Sequence, residues 1–330
     1  MILIITNKED VHPTPVIQYL RQKEYPFFRL NTEALLTDYE FRWECRDGMP
    51  PDFFIRNLIN GTSVCGSDVT AVWERRPEKV DVLKYENRKE INRHNKAEAN
   101  EFLSYLLYYV SDLFSIGHHL YEWKASSKMT QAKMAQELGM RVPATCFSNR
   151  KHDILSFALD FDSIVLKSID NGCVCLNDKD EYLFYTAKTS YSEIKNLPEE
   201  MFGQTVNFVQ NYIEKDFELR ITVVCDKVFA CRIDSQDMDE DKGKTDWRQG
   251  YDYGMKHSVF DLPDIISDFC LRYLKRMHLN FGCFDFIVTP DGEYVFLECN
   301  PNGQWLWIEE ETGMKISEAI AEALIRHADL

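Results

Sequence analysis

One run beginning at Phe281, FGCFDFIVTPDGEYVFLECNPNGQW, restricts the possible folds more than any other stretch of the chain. Its apolar and aromatic halves, GCFDFIVT and EYVFLECN, flank Pro290, Asp291 and Gly292, which supply turn chemistry, so the spacing predicts a β-hairpin. Side chains alternate along a strand. Asp285, Glu298 and Asn300 are therefore expected on one face, with Phe284, Phe286, Val295, Leu297 and Cys299 on the other. Two carboxylates and an amide oxygen on a rigid platform suit a hard divalent cation such as Mg2+, usually shared with substrate phosphates. Acids that merely face water from a half-exposed strand pair would give the same pattern.

At 330 residues, with roughly 150 per domain, the chain has room for about two or three packed units. Its longest apolar run, FLSYLLYYV, is far too short to span a bilayer, and MILIITNKED reads as a first core strand rather than a signal peptide. Ten cysteines form no CxxC pair, and most sit in apolar strands, as small buried hydrophobes in a reducing cytoplasm would. Cys173 and Cys175 make a CxC without a neighbouring His cluster, a weak zinc signal. The net charge of −16 argues against a general nucleic-acid binder, which needs an excess of Lys and Arg.

Taken in order, the first hundred or so residues alternate strands and helices, an α/β pattern. Within it WERRP ends a strand with Arg75 and Arg76, which alternation would send to opposite faces, so at most one lines a given cleft. A long helix covers much of 86–115, with its core-facing positions in the C-terminal half. Ser126 or Ser127 can cap a helix that starts at Lys128 and stops at Gly139. Lys167 stands alone in the apolar strand SIVLKS, where an ammonium must reach either a phosphate or, by snorkelling, water. In FELRITVV, Glu218 and Arg220 share a face, as a cross-strand ion-paired residue would. The polar stretch 234–254 is long enough to cover a site. Dinucleotide, P-loop, hydrolase-elbow and zincin signatures are all missing from the sequence.

Lys128, Lys167 in SIVLKS, FVQNYIEKDFELRITVV, and FGCFDFIV followed by FLECNPNGQW together resemble the ATP-grasp ligase superfamily over about the last two thirds of the chain. ECNPNGQW, the DWR ending at Arg248, and WERRP look more narrowly like the peptide macrocyclases that mature microviridin-type peptides, the graspetides. The resemblance implies an ATP-grasp α/β fold with an N-terminal domain (1–118), a central subdomain (119–206) and a C-terminal subdomain (207–330), ATP lying between the last two. It implies that Lys128 and Lys167 hold ATP phosphates, that Gln210, Asn211, Tyr212 and Ile213 form the adenine hinge, and that Glu218 meets the ribose. Arg220 would cover the phosphates or an acyl phosphate, Arg248 and Arg232 would grip the substrate carboxylate or oxyanion, and Asp285, Glu298 and Asn300 would ligate Mg2+. Asn171 and Gly172 would belong to a loop folding over the triphosphate.

The expected partner is a ribosomal precursor peptide whose leader docks around 181–201, where Glu193, Glu199 and Glu200 could meet basic residues, although the ordinary reading of each one taken singly is a solvated surface acid. The expected reaction activates Asp or Glu side chains as acyl phosphates and condenses them with Ser/Thr hydroxyls or Lys amines, giving macrocyclic esters or amides. Two alternatives stay open: an ATP-grasp ligase of the glutamate-ligase or glutathione-synthase kind, and a non-catalytic nucleotide-binding protein. A homodimer is also open, with Tyr105, Tyr108 and Tyr109 either core or interface.

Overall fold

The computed structural model describes residues 1–170, 172–176, 180–237, 244–249 and 255–329. Its N-terminal part is a parallel sheet in the order Phe27–Asn31, Ile2–Thr6, Ala71–Glu74, Phe114–Ile116. The continuous apolar run ILIIT is buried along its whole length because helices cover both faces of that sheet. Val16, Ile17 and Leu20 of the helix Pro13–Gln22 pack on one face with Ile2, Ile4 and Trp73. Leu103, Leu106 and Leu107 of the helix Lys89–Tyr109 pack on the other with Leu3, Ile5 and Val72. A small antiparallel sheet, Tyr39–Arg46, Met49–Asn57 and Ser63–Cys65, leans on the same side.

The middle of the chain forms an antiparallel sheet ordered Ala187–Thr189, Ile164–Lys167, Asn207–Asn211, Thr145–Ser148, backed by the helices Lys151–Ala158 and Tyr191–Asn196. From it projects the hairpin of Cys173–Leu176 and Asp180–Leu183. The C-terminal part is a five-stranded antiparallel sheet ordered His257–Val259, Lys227–Ile233, Phe217–Val224, Phe281–Val288, Tyr294–Asn300. One face of this sheet buries Phe284, Phe286 and Phe296 against Phe269 and Tyr273 of the amphipathic helix Asp264–Met277. Near one end of the other face, Val224, Cys231 and Phe281 share a core with the C-terminal helix Ile316–Ala328 and the N-terminal sheet, so the terminal helix joins the two. Among the described residues, no helix is long and apolar enough to cross a membrane.

The expected hairpin forms, with Gly292 at φ +81° closing its turn. A β-bulge between Asp285 and Phe286 alters the expected face pattern: Asp285 pairs with Glu298, but Phe286 pairs with Phe296. Leu297 is the extra residue, so alternation fails there. Val295 and Leu297, expected beside Phe284, instead cluster with Ile213 and Ile287, and Phe296 takes the core position.

Candidate active site

Between the central and C-terminal sheets lies a cleft of about 1050 Å³, lined by residues of both sheets and by Arg76 of the N-terminal part. The acid platform forms its floor. Glu298 stands opposite Asp285 in register, and Asn300 Nδ2 donates to Asp285 Oδ2 at 3.3 Å and to Glu298 Oε1 at 3.1 Å. The three side chains therefore touch as the alternation predicted. Arg220 is directly opposite Asp285 on the neighbouring strand and donates from one nitrogen to both carboxylate oxygens at 2.8 Å. Burial raises the Asp285 pKa against the opposing pull of Arg220, while the same pair raises that of the guanidinium.

Ser127 caps the helix Lys128–Glu137 by accepting from the Thr130 amide at 3.3 Å, which places Lys128 at its first position. Lys128 reaches the Glu298 carboxylate. Burial works against ionisation of Glu298, but this ammonium, helped by Lys167 and Asn300, draws its pKa down to about 2. Gln131, one turn on, grips the acid strand at both ends of its amide: Nε2 donates to the Cys299 carbonyl at 2.7 Å and Oε1 accepts the Cys299 amide at 3.0 Å. That clamp, invisible to sequence periodicity, sets Lys128 against the platform.

Lys167 ends its strand facing the same cleft, and burial lowers its pKa, with Glu298 opposing. Gln210, Asn211, Tyr212 and Ile213 line the cleft where the Asn207–Asn211 strand leaves the central sheet. Among the described residues, Gln210 Oε1 and Asn211 Oδ1 are buried acceptors without a partner. Glu218 is buried and paired with Lys215, a cleft residue that the sequence reading passed over. Arg220 makes the cross-strand ion pair that the alternation allows, with Asp285, whereas Glu218 pairs with Lys215 from its own segment.

Arg248 is in the cleft, where Asp246 holds it through Nε at 2.8 Å and a terminal nitrogen at 2.6 Å. Asp246 also accepts the Thr186 amide at 3.0 Å, joining the segment after the central hairpin to the 244–249 segment. Arg232 is the correction. It pairs with Leu219 in register, so it leaves the sheet on the face opposite Arg220, stacks 3.9 Å above the Phe217 ring and binds Asp234. The Glu193 carboxylate completes a capping box, accepting the Ser190 amide at 2.8 Å, while the residue stays exposed. Glu199 and Glu200 are exposed on a short 3-10 turn. Gly172 has φ +70° at the base of the central hairpin, while Asn171 lies outside the described residues.

Arg75 and Arg76 do not diverge, because Arg76 adopts a left-handed φ of +49° that ends the alternation. Both donate to the Asn302 carbonyl, at 2.6 Å and 3.3 Å. The N-terminal domain thereby closes the far end of the cleft.

A lysine-lined gap between two antiparallel sheets, with a carboxylate platform beneath, defines an ATP-grasp enzyme. The chain belongs to the RimK-like ATP-grasp family, whose model matches residues 126–324. Among solved structures, the Chryseobacterium gregarium RiPP-associated ATP-grasp ligase, in complex with ADP and a leader and core peptide, superposes with a TM-score of 0.86 at 27% identity, covering 98% of this chain and 96% of that one. Macrocyclase MdnC from Microcystis aeruginosa MRC, bound with precursor peptide MdnA, gives 0.83 at 28% identity, covering 99% of each. The ATP-grasp ligase PsnB, complexed with minimal precursor, Mg and ADP, shares the fold, with a TM-score of 0.76 at 17% identity over 100% of this chain and 98% of that one. No curated protein matches the sequence.

Proposed function

We propose that this protein is an ATP-dependent peptide macrocyclase that joins Asp or Glu side chains of a ribosomal precursor to Ser/Thr hydroxyls or Lys amines. The observation that carries this reading is the extent of the likeness. It runs through the N-terminal domain, outside the family match at 126–324, and extends over nearly the full length of two ligases solved with peptides. A ligase for small amino acids, the alternative, is not favoured by that likeness.

In this reading Lys128 and Lys167 bind the phosphates, the backbone at Gln210, Asn211, Tyr212 and Ile213 receives adenine, and Glu218 with Lys215 lies beside the sugar. Asp285, Glu298 and Asn300 suit Mg2+ by donor chemistry: they are oxygen ligands already in mutual contact, and their charge is balanced here by Arg220 and Lys128. When bound, the ion would neutralise the charge that develops on the transferred phosphoryl group. A substrate carboxylate attacks the γ-phosphate, giving an acyl phosphate and ADP. Arg220 and Arg248 hold the anionic groups in line, and the segments around Thr186 and Asp246 exclude water. The acceptor then attacks the acyl carbon and phosphate leaves.

Leader docking is assigned to the central domain around Glu199 and Glu200, and the setting is the cytoplasm. Tyr105, Tyr108 and Tyr109 are 59%, 52% and 45% exposed, which makes them surface rather than core and supports their reading as a homodimer face. Co-expression with a short peptide carrying clustered Thr or Ser and Asp or Glu, taken from the DNA flanking the gene, followed by intact-mass analysis, tests the function. Each ring removes one water. A peptide of unchanged mass, from enzyme that turns over ATP with a free amino acid instead, would overturn the assignment.

A further inference from the structure

Glu122 enters the cleft from the short helix His119–Ala125, and none of the roles above uses it. Both of its oxygens are held. Oε1 accepts the His118 amide at 3.2 Å and Oε2 accepts Asn302 Nδ2 at 3.2 Å. Asn302 is itself fixed by Arg75, whose terminal nitrogen donates to its carbonyl and to Oδ1 at 2.6 Å each. Arg75 is 1% exposed and anchored 3.1 Å from Asp10. Gly117, at φ +75°, lets the chain enter this corner: a Cβ there would lie 2.1 Å from the Glu74 carbonyl oxygen and 3.0 Å from Glu122 Oε1. The carboxylate is therefore pre-aligned rather than freely rotating.

Its place along the hairpin gives it a role. On the cleft face of the strand Phe281–Val288 the successive residues are Ile287, Asp285 and Cys283. Ile287 packs with Ile213 at the hinge end, and Gly303 seats directly on Cys283 at the opposite end, so Asn302 and Glu122 lie beyond the acids from the nucleoside. On the ligase reading, an acyl group activated above Asp285 and Glu298 would project towards this end, and an acceptor approaching it would pass Glu122.

We propose that Glu122 is the general base that takes the proton from the acceptor hydroxyl as it attacks the acyl phosphate. The hydroxyl oxygen bonds to the acyl carbon while its proton passes to Glu122. The bond from carbon to the phosphate oxygen breaks, its electron pair leaves with phosphate, and Glu122 later returns the proton to phosphate or water. The surroundings suit the task. Burial and the neighbouring Glu74 raise the carboxyl pKa to about 7, against the opposing effects of Asn302, the His118 amide and Arg75, so the base form is available near neutrality. This inference rests on the ligase reading.

The test separates activation from ring closure. Wild type and Glu122→Gln are incubated with ATP, Mg2+ and a precursor peptide that the wild type cyclises in the co-expression test, with and without hydroxylamine. Hydroxylamine intercepts the acyl phosphate without needing a protein base. The hydroxamate yield is expected to be unchanged in Glu122→Gln, while ester formation falls by on the order of 10²-fold or more. In the wild type, ester formation should rise as pH passes through about 7, a dependence the variant should lack. Ring closure by Glu122→Gln at the wild-type rate, or joint loss of hydroxamate and rings, would overturn the assignment. A wild type that yields no hydroxamate would instead sink the ligase reading itself.

Discussion

Among the described residues, Asp285 is the only carboxylate bonded to the Arg220 guanidinium, and the consequence of Asp285→Asn can be worked from the contacts. Arg220 makes two bonds of 2.8 Å to Asp285 and one of 3.2 Å to the Gln304 carbonyl, and among the described residues its Nε has no partner. The variant leaves a buried cation with little more than one neutral acceptor, a change that costs about 3–5 kcal/mol. Arg220→Met is asymmetric, because the isolated Asp285 can pick up a proton. Burial already raises its pKa above the ordinary carboxylate value, and without Arg220 it rises further. The folded state then binds more protons than the unfolded one, so the cost of Arg220→Met should be small at pH 4 and grow towards pH 8. The double variant Arg220→Met, Asp285→Leu should cost less than the sum of the single changes, by about 0.5–3 kcal/mol. Urea unfolding of the nucleotide-free protein, followed by the fluorescence of buried Trp73 and Trp305, reads all three. An Asp285→Asn midpoint within about 0.5 kcal/mol of wild type, or strict additivity in the double variant, would refute the buried-pair reasoning.

Gly303→Ala puts a Cβ 2.5 Å from Cys283 Cβ, an overpacking expected to cost about 1–3 kcal/mol in thermal or urea unfolding and to weaken nucleotide binding by shifting the 300–304 turn. Ser127→Ala should cost about 1 kcal/mol and raise the KM for ATP, since the cap positions Lys128; an unchanged KM would detach the cap from the site. Glu298, held at about 2, contributes stability that is complete above its ordinary value of 4.5 and lost as pH falls towards 2. Lys128→Met should bring protonation of Glu298 to higher pH, so the pH at which Mg2+-dependent nucleotide binding falls off by calorimetry should shift upward, on top of a loss at every pH because Lys128 also holds the phosphates; an unshifted fall-off would refute the coupling.

Local rules made much of this protein legible before any coordinates. A proline-glycine turn between aromatic strands specifies a hairpin, a period of two places Asp285, Glu298 and Asn300 together, and a serine before a lysine starts a helix, because each depends only on a few bonded neighbours. What tertiary structure alone decided lies between segments far apart in the chain. The bulge that sends Leu297 into the cleft, the left-handed Arg76 that lets both arginines meet Asn302, and the register that turns Arg232 away from Arg220 are set by packing partners and strand pairing. Gln131 clamping Cys299 and Asn302 aligning Glu122 are contacts across more than 150 residues, and no pattern within either segment announces the other. Sequence periodicity fixes which way a side chain leaves its own backbone, but only the assembled sheets determine what it meets there.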